Sequence, residues 1–290
     1  MFNKIKQVLK HHSAVHLIRL ISRHGLGEVE RLIAINWLNP FATIYLNLRS
    51  FPLKQAVRMP VWVYGRPRFY CLSGRMLIDG KLKSGMVHFN QVKSGAPSNM
   101  SVQSEIRNSG AIIFRGKCII GTGNKIVVAS KAVFDIGSDV KIADVCNIGC
   151  FSRISIGAHT RIAHRCQVLD SNYHFLADFI KKTVPKYSSL IKIGKGCWIS
   201  NTTTITGGSV IPDYTIVASN SLVGKDFSTI PESSLIGGIP AKYLRSGLRR
   251  VENKEIIKNI FMFYNESPNG LFTIPEEDTP ELYSYIPDEG

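Results

Sequence analysis

His174 is the side chain in this sequence best suited to chemistry. It ends the run Leu169-Asp170-Ser171-Asn172-Tyr173-His174. An imidazole titrates near neutrality, so it can take the proton from a hydroxyl as a new bond forms. The competing reading is a histidine on a solvated loop. Asp170 stands four residues earlier; its carboxylate either orients the imidazole, as in a triad, or caps a turn. His159 and His164 precede this run and read as solvated turn residues or acceptor contacts. A covalent route through Cys150 or Cys166 is disfavoured, because nothing near either suggests an activated thiolate. The six cysteines have no paired metal spacing, so no metal and no disulfide framework is expected.

The element that must position His174 is a repeat. Ile193, Ile199, Ile205, Ile211, Val217 and Val223 recur at every sixth residue, and Cys197, Thr203, Ser209, Thr215 and Ser221 follow the first five at a distance of four. A period of six fits neither a helix nor a plain strand. It fits short strands joined by turns, three to a triangular coil of about 18 residues, stacked as a parallel β-helix. The same register runs through Ile136, Ile142, Ile148 and Ile154, slips by two, and resumes at Ile156, Ile162 and Val168. The slip reads as a small bulge at a turn. After Val168 the repeat stops until Ile193, so residues 170–192 must leave the coil as a loop carrying Tyr173, His174, Phe175 and Tyr187. Loops on a rigid scaffold are where function concentrates. Cys146, Cys166 and Cys197 occupy the small-residue position and read as core packing.

Three segments follow one another in a familiar order: Ile193-Gly194-Lys195-Gly196-Cys197-Trp198-Ile199-Ser200, Ser221-Leu222-Val223-Gly224-Lys225-Asp226 and Gly237-Gly238-Ile239-Pro240-Ala241-Lys242. With them the chain resembles the hexapeptide-repeat acetyltransferases over roughly residues 110–250, and its N-terminal arrangement is similar to that of the capsule and O-antigen polysaccharide branch. The resemblance implies a left-handed parallel β-helix, acetyl-CoA (coenzyme A) as co-substrate and a homotrimer. It also implies a catalytic base at His174. Asn201 and Ser219 match positions whose backbone meets the pantetheine arm. Gly224, Lys225, Lys242 and Arg245 match positions near the nucleotide end, where cations suit phosphates; each cation otherwise reads as a solvated surface charge. Ile216-Val217-Ala218-Ser219-Asn220-Ser221 departs from the family's alternation of small residues and glycines, and Ser200 stands where glycine is common. The expected activity is transfer of acetyl from acetyl-CoA to a sugar hydroxyl during surface-polysaccharide assembly. The alternatives are N-acetylation of a nucleotide-linked amino sugar, and a non-catalytic β-helix that binds a membrane or an acidic glycan.

Three segments are expected along the 290 residues. Residues 1–60 are helical and membrane-proximal, 61–240 form the β-helix with its loop excursion at 170–192, and 241–290 hold a C-terminal helix and an acidic tail. Residues 1–24 alternate Ile5, Val8, Leu9, Leu17, Ile18 and Ile21 with Lys4, Lys6, Lys10, Arg19 and Arg23. That pattern reads as a basic amphipathic helix, lying either on an anionic membrane or against protein. Glu28 to Trp37 can form a second helix, closed by Asn39-Pro40. Val251 to Tyr264 reads as the C-terminal helix, and residues 61–110 as imperfect coils capping the open end. The net charge is +15, with no Lys or Arg but seven acids in residues 266–290. A basic body suits anionic partners, yet no nucleic-acid fold signature is present and the aromatics do not interleave with the cations. Nucleic acid is excluded on that ground. Unpaired thiols, with no signal peptide and no long apolar run, point to the cytoplasm, with peripheral contact at the inner face of the membrane through residues 1–24.

Overall fold

The computed structural model describes residues 37–92 and 102–284. The expected helix over residues 1–24 therefore lies outside the described residues, as do most of Glu28–Trp37 and the last six residues of the tail. Strands of two to five residues stack into three sheets of nine, seven and six strands. In each sheet a strand pairs with the strand of the same face one coil earlier and one coil later. Every pairing along the stack is parallel. This is the three-faced, mainly β, parallel β-helix expected from the six-residue period.

The core is the row of aliphatic side chains in the repeat. Ile148, Val168, Ile205 and Val223 lie in successive rungs of the second face, paired one on the next and buried. The small residues four positions on are buried too, and they bind the coils to one another. Cys146 Sγ donates to Ala163 O, Cys166 Sγ to Ser200 O and Cys197 Sγ to Pro212 O, each at 3.1 Å. Ser209 Oγ does the same toward Val223 O at 3.0 Å. A small donor is needed there because corner carbonyls inside the prism have no water to bond.

Two expectations need correction. The two-residue slip after Ile154 is not a bulge. Ile154 and Ile156 pair with Phe134 and Ile136 of the coil below, in an unbroken strand from Arg153 to Ile156. Third-face strands of this part point two side chains inward, so a coil here is two residues longer: Lys141 pairs with Arg161, whereas further on Trp198 pairs with Ile216. Asn39-Pro40 also stands at the start of a helix. That helix spans Pro40–Ser50, with Asn39 Oδ1 accepting from Ala42 N at 2.9 Å and proline in the first turn, where its missing N–H costs nothing. This cap helix, rather than imperfect coils alone, plugs the open end of the prism. Leu46 enters the core, and Asn47 bonds both the N–H and the carbonyl of Val61.

At the far end Leu235–Gly238 continues the first face. Ala241–Arg245 then returns antiparallel to it, so the segment break expected at 240 falls at the turn of a hairpin. A helix runs from Lys254 to Glu266, capped by Asn253, three residues later than expected at its start. Arg161, nearly buried in the first face, pairs with Asp139 and with Glu252 Oε2 at 2.9 Å. That pairing straps the chain before this helix onto the prism. The tail folds back over the strap: Glu252 N donates to Tyr283 O at 2.8 Å, and Arg249 meets Ser284 and Glu281.

Candidate functional site

The chain leaves the second face after Leu169 and re-enters the prism on the third face at Ile191, which is buried and paired with Ile154. The excursion is closed at its base. Ser189 N donates to Asp170 O at 2.8 Å and Asn172 N to Tyr187 O at 3.0 Å, beside a bridge between Ser171 and Ser188. A second bridge joins Asp178 to Thr183 near the tip, where Asp178 Oδ1 accepts from Ile180 N and Lys181 N. His174 is exposed just beyond the closed base.

Asp170 is fully buried. Its carboxylate accepts from Phe151 N at 2.7 Å and Ser152 N at 2.8 Å, the corner of the coil below. Burial pushes the Asp170 carboxyl above its ordinary range, against the pull of those two amides and of the Cys150 thiol. Of the two readings open for this residue, the structure places its oxygens on the turn-capping bonds. It thereby locks the excursion's first residue to the corner from which the excursion springs.

Tyr173, the residue before His174, is braced in turn, by contacts that the spacing in the sequence does not show. Its φ of +61° lies in the left-handed region, rarely adopted by a bulky residue. Its N–H donates to Ser171 Oγ at 2.9 Å, and its ring meets Phe151 edge-to-face at 4.8 Å. Phe151 also faces Tyr187, which in turn stacks edge-to-face with Phe175 at 5.1 Å. Such aromatic pairs contribute about 1 kcal/mol each beyond their burial. The hydroxyl end of Tyr173 lies over Gly149, where an added Cβ would come within 2.8 Å of it. Gly149 is thus the seat of the Tyr173 ring. Gly149→Ala is expected to tilt that ring and shift His174, lowering kcat about tenfold with little change in KM for acetyl-CoA; steady-state kinetics of the two proteins checks it.

The residues matched to the coenzyme fall on two edges of the prism. Asn201 and Ser219 follow paired strands of the first face and meet directly, Ser219 Oγ donating to Asn201 Oδ1 at 2.8 Å. By the same register His164 lies one coil below Asn201, and Thr202 N donates to its carbonyl at 3.1 Å. The hairpin bearing Lys242 and Arg245 adjoins this edge: Gly238 N bonds Ser221 Oγ at 3.1 Å, and Lys242 pairs with Gly237. Both cations are exposed. Gly224 and Lys225 lie on the other edge. Val223 pairs with Ile205, and Ile205 with Val168, so Lys225 stands two coils above the corner where the excursion departs. Its ammonium rests 4.9 Å from the Phe227 ring centroid. Lys225 thus shares an edge with the base of the excursion that carries His174, and Lys242 lies beside the edge of Asn201 and Ser219, while Arg245 pairs with Leu235 at the other end of the strand. Among the described residues no cluster of His, Cys, Asp and Glu fit for a metal occurs. Cys150 is buried with its thiol pushed up to about 12 by burial, unsuited to nucleophilic work.

No family model matches the chain. Over 148 residues it is 27% identical to the putative lipopolysaccharide biosynthesis O-acetyl transferase WbbJ of Escherichia coli K12, a match covering 48% of this chain and 74% of that protein. The resemblance to the hexapeptide-repeat acetyltransferases holds. Similar solved structures include the polySia-specific acetyltransferase NeuO, with 18% identity, 75% of this chain and 91% of that chain covered, and a TM-score of 0.42. The polysialic acid O-acetyltransferase OatWY gives 16% identity, 69% and 99% coverage, and a TM-score of 0.43.

Proposed function

We propose that this protein is an acetyl-CoA-dependent O-acetyltransferase acting on a saccharide hydroxyl in surface-polysaccharide assembly. The observation that carries this reading is the sequence match to a putative lipopolysaccharide O-acetyl transferase, joined to a histidine held at a fixed edge of the prism by a braced excursion. Acetyl-CoA and acceptor meet in a ternary complex. His174 takes the acceptor's hydroxyl proton as its oxygen attacks the thioester carbonyl. The tetrahedral oxyanion then collapses, the C–S bond breaks, and the imidazolium returns the proton to the departing thiolate.

Asn201 and Ser219 line the pantetheine arm, while Lys225, Lys242 and Arg245 supply cations for the phosphates. Because these groups sit on two edges of one prism, a groove that uses all of them runs between neighbouring copies, which supports a homotrimer. The exposed Phe175, Leu176, Phe179 and Ile180 of the excursion suit burial in such an interface. No helix among the described residues is long and apolar enough to cross a membrane. The six cysteines are all unpaired, in keeping with a reducing, cytoplasmic setting. Titration calorimetry with coenzyme A tests the reading: saturable binding, weakened at least tenfold by Lys242→Ala with Arg245→Ala, is expected. Absence of binding would favour a non-catalytic scaffold.

A further inference from the structure

The cap helix Pro40–Ser50 is amphipathic in the reverse sense. The face it turns to the prism is Thr43, Leu46, Asn47 and Ser50, all buried, and its polar groups serve the first strand. Thr43 Oγ1 accepts from Val63 N at 3.0 Å, and Asn47 Nδ2 donates to Val61 O at 2.7 Å. The opposite face is Phe41, Ile44, Tyr45 and Leu48, all exposed, at the i, i+3, i+4, i+7 spacing that forms one stripe. Leu53 and Val57, in and just after the next turn, Leu53–Ala56, are exposed as well. A contiguous apolar face of this size on the end of a solenoid marks a contact surface.

Charge decides what covers it. Residues 37–78 contain Arg49, Lys54, Arg58, Arg66, Arg68 and Arg75 and no acid, and all six cations are exposed. Arg49 and Lys54 sit within the two short helices that bear the apolar stripe, and Arg58 lies two residues beyond the second. A second copy of this face would bring like charges together. The chain's own residues 1–36, with six Lys+Arg against two acids, carry the same sign. The complementary surface is an anionic one with an apolar interior, into which aromatic and aliphatic side chains can dip by roughly 5–10 Å while cations stay at the headgroups.

We propose that the Phe41–Val57 face docks the protein on an anionic lipid bilayer, with the prism standing away from the surface. The site is separate from the 1–24 segment read as amphipathic in the sequence, and it lies at the end of the prism opposite the hairpin that bears Lys242 and Arg245.

Flotation of the full chain with vesicles of equal parts phosphatidylcholine and phosphatidylglycerol tests it, beside pure phosphatidylcholine vesicles and beside the variants Ile44→Gln with Leu48→Gln and Arg49→Gln with Lys54→Gln. Binding to the anionic vesicles alone is expected, falling about tenfold or more in either double variant, with thermal melting and oligomer mass unchanged. Three results would overturn it: no flotation of the full chain, flotation untouched by the double variants but lost on removing residues 1–24, or a fall in oligomer mass in Ile44→Gln/Leu48→Gln, which would make the face a protein interface.

Discussion

Replacing His174 with alanine is expected to lower kcat about a hundred- to ten-thousandfold, the usual contribution of a positioned general base. Binding of acetyl-CoA should be unchanged. The side chain is exposed beyond the closed base of the excursion, so its removal leaves no buried cavity. A surface change of this kind moves stability by less than about 0.5 kcal/mol. Thermal melting should therefore superimpose on that of the parent, which lets the kinetic loss be assigned to chemistry. Single-turnover acetyl transfer to a saccharide acceptor and calorimetry with acetyl-CoA measure the two halves separately. Unchanged turnover would remove His174 from the mechanism.

The β-helix was legible because its signal is redundant. Each inward residue from Ile193 to Val223 repeats the one six before it, and a rule kept over six successive rungs is hard to mistake. The extra two residues at Ile154–Ile156 misled because spacing alone does not separate a bulge from a longer strand; only the pairing with Phe134 and Ile136 does. The cap helix was illegible for a related reason. Its apolar stripe faces outward and its polar side inward, so a search for an amphipathic helix facing a core finds nothing to anchor. Asn39-Pro40 was the available signal, since asparagine before proline opens helices as well as ending them.

At the site, the excursion and His174 followed from where the repeat failed. What did not follow was how the histidine is held. Phe151 belongs to the coil below, and its contact with Tyr173 depends on which corner each occupies, a relation that runs across coils rather than along the sequence. Gly149 follows the inward Ile148, and nothing in that spacing marks it out. Its requirement comes from the ring seated above it.

Asp170→Asn is the substitution that separates positioning from catalysis. The asparagine keeps the size of the side chain but has one acceptor oxygen where the carboxylate has two. Either Phe151 N or Ser152 N is then left facing the new NH2 group. A buried donor without an acceptor costs about 2 kcal/mol, which in a chain of this size lowers Tm by roughly 5 °C. Because the corner at 151–152 also carries Phe151, the aromatic brace on Tyr173 loosens and kcat should fall about tenfold. The pH dependence of kcat/KM should keep its shape, since the bonds of Asp170 go to backbone amides and not to the base. A triad carboxylate behaves otherwise: its loss costs about ten-thousandfold by leaving the wrong imidazole tautomer, and it displaces the limb of the profile that reports the base. A tenfold loss with an unmoved profile and a lowered Tm makes Asp170 a positioning residue. A far larger loss, with a displaced profile and an unchanged Tm, would return it to the catalytic set.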